Sequence, residues 1–203
     1  MNERTFQARD AHKLEDPERL KWLPPDEILA RIGSVSGMTI ADVGTGTGYF
    51  ALPFAGAVGR GGKVLAVDFQ KEMLEKLRHK LSMPGAPQNI VLVEGEAART
   101  TLSGKSCDLA FMSNLWHELD DEAGVLAEME RIVRPGGRLA ILDYRADVAP
   151  PPGPPATHRV SREDLEQVLL RHGWTVGHAG NVGTYSYILI AQPPAILPGP
   201  ARL

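Results

Sequence analysis

A glycine-rich turn near the start of the chain has the composition of a ligand-binding loop. Gly44, Gly46 and Gly48 alternate with threonines directly after the apolar run Met38–Val43, and a helical stretch begins at Tyr49. Glycine has no side chain, so the main chain can turn tightly and lie against a ligand. The helix that follows presents unpaired N–H groups and the positive end of its dipole, which favour an anionic group. The turn therefore predicts a site for a nucleotide-like ligand, although a plain turn in any βαβ unit has a similar composition.

Two acids accompany this turn. Asp42 lies two residues before the first glycine, and Asp68 ends a second apolar run, Lys63–Asp68. A carboxylate at that strand end can accept two hydrogen bonds from a ribose diol. The same contact would bind the ribose of NAD, so Asp68 alone does not indicate which cofactor is bound. However, the loop reads GxGxG instead of the dinucleotide fingerprint GxGxxG, and no tyrosine is followed four places later by lysine, as a short-chain dehydrogenase requires.

Titratable side chains follow the fourth and fifth apolar runs. His117 and Glu118 lie just past the run Cys107–Ser113, and Tyr144 ends the next run. An imidazole with a pKa of about 6.5 suits a proton acceptor at neutral pH. A structural role for His117, in which it caps or bonds the backbone, is an equal alternative. We predict no metal site, because the histidines are scattered and the chain has a single cysteine, Cys107.

Alternating strands and helices position these groups. The apolar runs predict the order βαβαβ(α)βαβαββ, which implies a parallel sheet with helices on both faces. Only a few residues join the last two strands, Trp174–His178 and Thr184–Ala191, so those two must be antiparallel. The predicted fold class is α/β: a Rossmann-like, doubly wound, seven-stranded sheet that is mostly parallel, with one antiparallel strand near the C-terminus. Ligands bind at the carboxyl ends of such strands, where the glycine loop and the titratable groups would meet.

Bulk composition narrows the classes of partner. The chain has 203 residues, of which 43% are hydrophobic, and this suits one globular domain. The formal net charge is -3 and there is no basic block, so no nucleic-acid partner is predicted. The first residues are polar and no apolar run approaches the roughly 20 residues that span a bilayer. We therefore expect a cytoplasmic enzyme without an integral membrane segment, whose residues 1–10 form a mobile terminus.

The sequence resembles the class I S-adenosylmethionine (SAM) dependent methyltransferases. Asp42–Gly48 resembles the first motif of that family, and Asp68–Leu74 resembles its pattern of an acid, a spacer and Met-Leu. Glu94–Ala97 resembles its Gly-Asp-Ala segment, with Glu96 in place of aspartate. The fourth-strand motif and the post-helix signature of the family resemble Cys107–Leu119 and Arg131–Leu139. The resemblance covers about residues 36–192 and is strongest for the type 11 group that includes the ubiquinone/menaquinone-biosynthesis methyltransferases.

This resemblance implies SAM as cofactor and S-adenosylhomocysteine as product. The residues that it assigns to the cofactor are Asp42, Gly44, Thr45, Gly46, Gly48, Asp68, Phe69, Met73, Glu96, Ala97, Ser113 and Asn114. The glycines would approach the methionine part, Asp68 would hold the ribose, and Phe69 and Met73 would pack on the adenine. His117, Glu118 and Tyr144 are the candidates for a general base, which is needed only if the acceptor must lose a proton.

The function implied by the resemblance is methyl transfer from SAM to a small-molecule acceptor. One alternative is a quinone-precursor C-methyltransferase, and alternatives of other classes are an NAD(P)-binding oxidoreductase and a catalytically silent SAM-binding protein. The oligomeric state stays open, a homodimer included. We expect an N-terminal helical cap in residues 1–35, a SAM-binding methyltransferase domain in 36–192 and a Pro-rich tail in 193–203.

Overall fold

The computed structural model describes residues 5–150 and 152–194. Its strands are β1 (Thr39–Val43), β2 (Lys63–Asp68), β3 (Ile90–Glu94), β4 (Cys107–Ser113), β5 (Val133–Tyr144), β6 (Thr175–Val182) and β7 (Ser186–Gln192). Its α-helices are α1 (Arg19–Trp22), α2 (Pro25–Ile32), α3 (Ala51–Val58), α4 (Lys71–Leu81), α5 (Glu122–Ile132) and α6 (Arg162–Arg171). Three 3-10 helices lie at Ala8–Glu15, Trp116–Glu118 and Ala156–His158. Most of the predicted Pro-rich tail lies outside the described residues.

The seven strands form one sheet in the order β3-β2-β1-β4-β5-β7-β6. The pairs β1–β2, β2–β3, β1–β4 and β4–β5 are parallel, whereas β7 is antiparallel to both β5 and β6. The predicted fold class, including its one antiparallel strand, is therefore confirmed. The strand order reverses between β1 and β4, and the carboxyl ends of strands at such a switch point form a crevice for ligands.

Helices cover both faces of the sheet because successive side chains of a strand point in opposite directions. Ile40 of β1 belongs to a buried cluster with α2 and α3, and its neighbour Ala41 belongs to a second cluster with α5 and α6. All five residues of β1 are buried, as expected for a strand that is covered on both sides. The glycine loop, which follows β1 directly, is therefore anchored to a buried interior strand of the sheet.

The N-terminal segment differs from the sequence prediction. Residues 1–10 were expected to be mobile, but Ala8–Glu15 forms a 3-10 helix that contacts the start of α4. The Ala8 N–H donates to Gln70 Oε1 at 3.0 Å, and Gln70 Nε2 donates to Phe6 O at 2.8 Å. These are tertiary contacts that the polar composition of the segment does not reveal. Residues 1–4 of the predicted mobile stretch lie outside the described residues.

Two further observations complete the fold. The segment 135–137 lies within β5, whose pairing with β4 shifts register between Cys107 and Leu109. In residues 5–150 and 152–194, no helix combines the length and the apolar character that crossing a membrane requires.

Candidate active site

A cavity of about 860 Å³ lies at the carboxyl ends of β1, β2, β4 and β5, within the size range of small-molecule sites. The 3-10 helix Ala8–Glu15 and α1 also contribute to its wall. The predicted site residues that line it are Asp42, Gly44, Thr45, Gly46, Asp68, Phe69, Met73, Glu96, Ala97, Ser113, Asn114, His117, Glu118 and Tyr144. The structure therefore brings together all but one of the residues that the sequence indicated.

The exception is Gly48, which does not line the cavity. It has φ +87°, and a Cβ atom there would lie 2.5 Å from Leu77 Cδ1 of α4. A side chain at this position would therefore collide with the helix that packs behind the loop. Close packing between the loop and α4 accounts for a glycine here, and the contact of Gly48 with a ligand stays a prediction.

The amide groups of the glycine loop are already bonded within the protein. The N–H groups of Gly44 and Thr45 both donate to Val67 O at 2.9 Å, and the Gly48 N–H donates to Thr45 O at 2.9 Å. The Gly46 N–H donates to Asp68 Oδ2 at 2.8 Å. The bonds of Gly44, Thr45 and Gly46 fasten the loop to β2, and the bond of Gly48 closes the loop on itself. The expectation that the following helix presents unpaired N–H groups to an anion stays a prediction.

Asp68 and Asp42 are buried side by side beneath the loop. Asp68 also accepts from the Gln70 N–H at 2.9 Å, and Asp42 Oδ2 accepts from Thr45 Oγ1 at 2.7 Å. Burial raises the pKa of both acids, and the pKa of Asp42 reaches about 7, to which the charge of Asp68 also contributes. Because two carboxylates share this wall, the site favours a ligand that carries a positive charge.

The buried side-chain amide of Asn114 has no hydrogen-bond partner among the described residues. Its backbone has φ +52°, a conformation that asparagine tolerates better than most residues, and its N–H donates to Leu142 O at 2.8 Å. Both side-chain amide atoms are buried without a hydrogen-bond partner among the described residues, and so is Ser113 Oγ. A buried polar group without a partner costs about 1–3 kcal/mol. Both residues line the cavity, so a polar ligand that reached these atoms would recover that cost.

Apolar and acidic groups line the cavity beyond the glycine loop. Phe69 is 40% exposed at the end of β2, and Met73 is buried on α4. Glu96 pairs with Arg99 through two backbone hydrogen bonds of 3.2 and 2.9 Å, so that Glu96 and Ala97 form a tight turn at the edge of the cavity. An aromatic ring and a thioether provide surfaces on which a flat heterocycle can stack.

His117 forms a buried pair with Asp143, an acid that the sequence analysis did not identify. Its Nδ1 lies 2.8 Å from Asp143 Oδ1, and its backbone N–H donates to Asp143 Oδ2 at 3.1 Å. Burial lowers the pKa of His117, but the charge of Asp143, the hydrogen bond to it and the charge of Glu118 outweigh burial, so the pKa is raised. The only sequence signal for Asp143 is an acid near the end of an apolar strand.

Glu118 and Tyr144 surround the other side of this imidazole. Glu118 Oε1 lies 3.9 Å from His117 Nε2, and its Oε2 accepts from the Phe6 N–H at 3.0 Å. Burial raises the pKa of Glu118 to about 7. The Tyr144 ring lies edge-on to the imidazole at 5.6 Å, and burial raises its pKa to about 12. Tyr144 is therefore protonated at neutral pH, which disfavours its predicted role as a base.

No group of three or more His, Cys, Asp or Glu side chains in the described part of the chain is arranged to hold a metal ion. The sheet and the cavity at its switch point define a Rossmann-like α/β protein with a site of small-molecule size.

Comparison with known proteins identifies the family. Residues 41–141 match the family described as Methyltransferase domain (Methyltransf_11). The crystal structure of a SAM dependent methyltransferase from Aquifex aeolicus superposes with a TM-score of 0.87 at 32% identity, covering 92% of this chain and 98% of that one. The chain belongs to the class I SAM-dependent methyltransferases.

Curated relatives point to the same family. The demethylmenaquinone methyltransferase of Deinococcus radiodurans is 34% identical over 81% of this chain and 63% of its own length. The ubiquinone/menaquinone biosynthesis C-methyltransferase UbiE of Francisella philomiragia is 32% identical over 61% of this chain and 50% of its own length. The chain thus spans about half the length of most of the curated relatives that it matches.

Proposed function

We propose that this chain transfers a methyl group from SAM to a small-molecule acceptor. The observation that carries the proposal is the 2.8 Å hydrogen bond from the Gly46 N–H to Asp68 Oδ2, which joins the glycine loop and the β2 carboxylate in one cavity. The unsatisfied amide of Asn114 and the acidic wall formed by Asp42 and Asp68 fit a cationic nucleoside with an amino-acid tail.

The nucleoside would be held by groups at the ends of β1, β2 and β4. When bound, SAM supplies a methyl group that is already activated on a sulfonium, so the protein mainly has to align the reactants. Asp68 would accept hydrogen bonds from the ribose hydroxyls, while Phe69 and Met73 would flank the adenine. Asn114 would bond the methionine end. The remaining proposed cofactor contacts are Asp42, Gly44, Thr45, Gly46, Glu96, Ala97 and Ser113.

His117 is the proposed general base for acceptors that must lose a proton. Its hydrogen bond to Asp143 fixes the imidazole with Nδ1–H toward that carboxylate, which leaves proton exchange to Nε2. A carboxylate partner also stabilises the imidazolium that forms when the proton is taken. Glu118, 3.9 Å from Nε2, adds to that stabilisation.

A quinone precursor is the second candidate for the acceptor. The names of the relatives from Deinococcus radiodurans and Francisella philomiragia favour it, and carbon methylation of a phenolic ring requires a base such as His117. Incubation with labelled SAM and demethylmenaquinone would produce a labelled quinone if this candidate holds. Labelled product from other acceptors only would exclude it.

We further propose that residues 1–35 act as a helical cap on a SAM-binding domain of residues 36–192. The 3-10 helix Ala8–Glu15 supports this division, because Leu14 lies 3.2 Å from the position of a Cβ atom on Gly46. Truncation of residues 1–18 should weaken nucleoside binding while the remaining domain still melts cooperatively.

Binding and turnover are tested separately. S-adenosylhomocysteine should raise the melting temperature, because a ligand at 100 times its dissociation constant adds about 2.7 kcal/mol to the free energy of unfolding. NADH at the same concentration should give no shift. No response to millimolar S-adenosylhomocysteine would contradict the proposal, and binding without methyl transfer to any acceptor would favour the silent SAM-binding protein.

A further inference from the structure

Arg19, the first residue of α1, is a buried cation in the wall of the cavity. It is 6% exposed, and its guanidinium lies 4.2 Å from the ring centroid of Tyr49 and 6.0 Å from that of Trp22. One of its terminal nitrogens, Nη1, donates to Leu14 O at 3.4 Å. Its Nε is buried and has no hydrogen-bond partner among the described residues. Most of the hydrogen-bonding capacity of this guanidinium is therefore left for a ligand.

The charge of Arg19 is not neutralised by an ion pair within the described residues. Glu15, the acid whose charge acts on it, instead forms an ion pair with Lys80 at 2.7 Å and accepts a hydrogen bond from Thr47. Burial lowers the pKa of Arg19, but a guanidinium remains charged in proteins. Because a buried charge without a counter-ion is costly, this arrangement favours an anionic ligand.

A second buried arginine shows what a structural role requires in this protein. Arg159 is 7% exposed and also lies beside Tyr144. It donates to four carbonyl oxygens at 2.7–3.0 Å, those of Arg145, Val148, Pro152 and Pro154. Its donors are therefore used to hold the loop that follows β5. Arg19 is equally buried and contacts the Tyr49 and Trp22 rings, but it makes one long hydrogen bond among the described residues. Hydrogen bonding within the described fold therefore does not account for its guanidinium.

The loop amides and the lysine of the cavity lining are already engaged within the protein. The loop amides of Gly44, Thr45, Gly46 and Gly48 donate within the protein. Lys13, the other cation in the lining, is largely exposed and lies 2.8 Å from Asp10.

We propose that Arg19 binds a carboxylate inside this cavity, an inference that rests on the proposed function. A guanidinium fork matches a carboxylate in a two-point contact. Two sources would present that group: the amino-acid end of the cofactor, or an acidic acceptor lying between Trp22, Tyr49 and Tyr144.

The test compares ligands with and without the carboxylate. Calorimetry would measure S-adenosylhomocysteine and 5′-methylthioadenosine, the same nucleoside thioether without the amino-acid end. The proteins are the wild type, Arg19→Met, Arg19→Lys and the control Arg138→Met. Arg138 makes a single bond from Nη1 to a backbone oxygen, Ile32 O, at 2.9 Å and does not line the cavity. Benzoate and benzamide would then be titrated into protein saturated with S-adenosylhomocysteine.

If the cofactor supplies the carboxylate, Arg19→Met loses about 10- to 100-fold in affinity for S-adenosylhomocysteine and none for 5′-methylthioadenosine. Arg19→Lys recovers part of the loss, and Arg138→Met behaves like the wild type. If an acidic acceptor supplies it, both nucleosides bind all four proteins equally, and benzoate, but not benzamide, binds the wild type better than Arg19→Met.

Equal losses for both nucleosides, or no change with any ligand, would overturn the assignment of Arg19. Failure of the wild type to bind either nucleoside would instead contradict the proposed function, and the same titration of benzoate and benzamide into protein without nucleoside would then report on Arg19. A cooperative thermal melt of each variant establishes that it folds. If Arg19→Met does not fold, Arg19→Lys alone carries the comparison, because it keeps the charge but loses the fork.

Discussion

The two ends of the cavity are built in different ways. At the nucleoside end, a loop and two acids from adjacent parallel strands bond one another through short links such as Gly46 N–H to Asp68 Oδ2. At the proposed acceptor end, His117 and Asp143 come from segments 26 residues apart in sequence. The backbone donors of the glycine loop are satisfied within the protein. The side chains of Arg19, Ser113 and Asn114, by contrast, keep polar atoms without a partner among the described residues.

This difference indicates how each end functions. The nucleoside end is rigid before a ligand arrives, because its backbone groups are bonded to β2 and its acids are buried. The acceptor end depends on side chains whose charges act on one another, as the raised pKa of His117 beside Asp143 demonstrates. Substitutions in the glycine loop or at Asp68 should therefore weaken nucleoside binding, whereas substitution of Asp143 should change the titration of His117.

The largest effect is expected for Gly46→Val. Its Cβ would lie 3.2 Å from Leu14 Cδ1 at φ +55°, so the side chain would enter the space that the cofactor's methionine part needs. Calorimetry should detect no binding of S-adenosylhomocysteine. Gly85→Val is the matched control, because Gly85 also has positive φ, +83°, but has nothing within 4 Å of its Cβ position. Retained binding in Gly46→Val would show that the loop is not the site.

Asp42→Asn should change how stability depends on pH. The folded-state pKa of Asp42, about 7, is above its ordinary value of 3.8, so ionisation destabilises the fold. The free energy of unfolding of the wild type should therefore decrease as pH rises from 4 through 7. This decrease should be about 3 kcal/mol smaller in the variant. Urea unfolding at pH 5 and pH 8 measures it. The pKa of Glu118 is also raised to about 7, so the free energy of unfolding of the variant should still decrease as pH rises. Identical slopes for the two proteins would contradict the account.

Asp68→Ala should weaken S-adenosylhomocysteine binding by roughly 30-fold, because the ribose loses a charged hydrogen-bond acceptor. Part of the loss will come from the loop, since the Gly46 N–H also loses its acceptor. Adenine alone, which has no ribose, separates the two effects: its affinity should change less than that of the nucleoside. An unchanged affinity for S-adenosylhomocysteine would remove Asp68 from the site.

The smallest effect is expected for Asp143→Asn, which should lower the pKa of His117 without abolishing nucleoside binding. The charge of Asp143 and the hydrogen bond to it raise that pKa in the wild type. They therefore stabilise the fold at low pH, and this contribution is lost as pH rises through the folded-state pKa. An NMR titration of the His117 ring, with His117→Gln to assign the signal, measures the change. A His117 pKa that does not fall would show that the two side chains are not coupled.

The difference between the two ends of the cavity also explains which site residues could be predicted from the sequence. The glycine loop and Asp68 were predictable because each lies at the end of an apolar strand, and parallel strands bring those ends together. Asp143 lies at a similar strand end, but only the packing of Trp116–Glu118 against β5 reveals its partner. Arg19 is a charged residue in a one-turn helix, a pattern that usually indicates a solvated surface. Its burial comes from contacts with Tyr49 and Trp22, which no local pattern encodes.

The N-terminal 3-10 helix was missed for a related reason. Ala8–Glu15 is polar on average, and its order depends on partners such as Gln70 and Lys80 in and beside α4. Gly48 was placed in the ligand site because its spacing matched the other glycines, whereas its actual constraint is Leu77, 29 residues further along the chain. Local spacing predicts the shape of a loop, but it does not show which neighbouring residue makes each glycine necessary.

The most direct test of the account is a crystal structure of the protein with S-adenosylhomocysteine. The account predicts ribose hydroxyls within about 3 Å of the Asp68 carboxylate and the amino-acid part against the loop at Gly44–Gly46. A nucleoside bound at another surface, or one whose sugar is turned away from Asp68, would contradict the claim that this cavity holds the methyl donor.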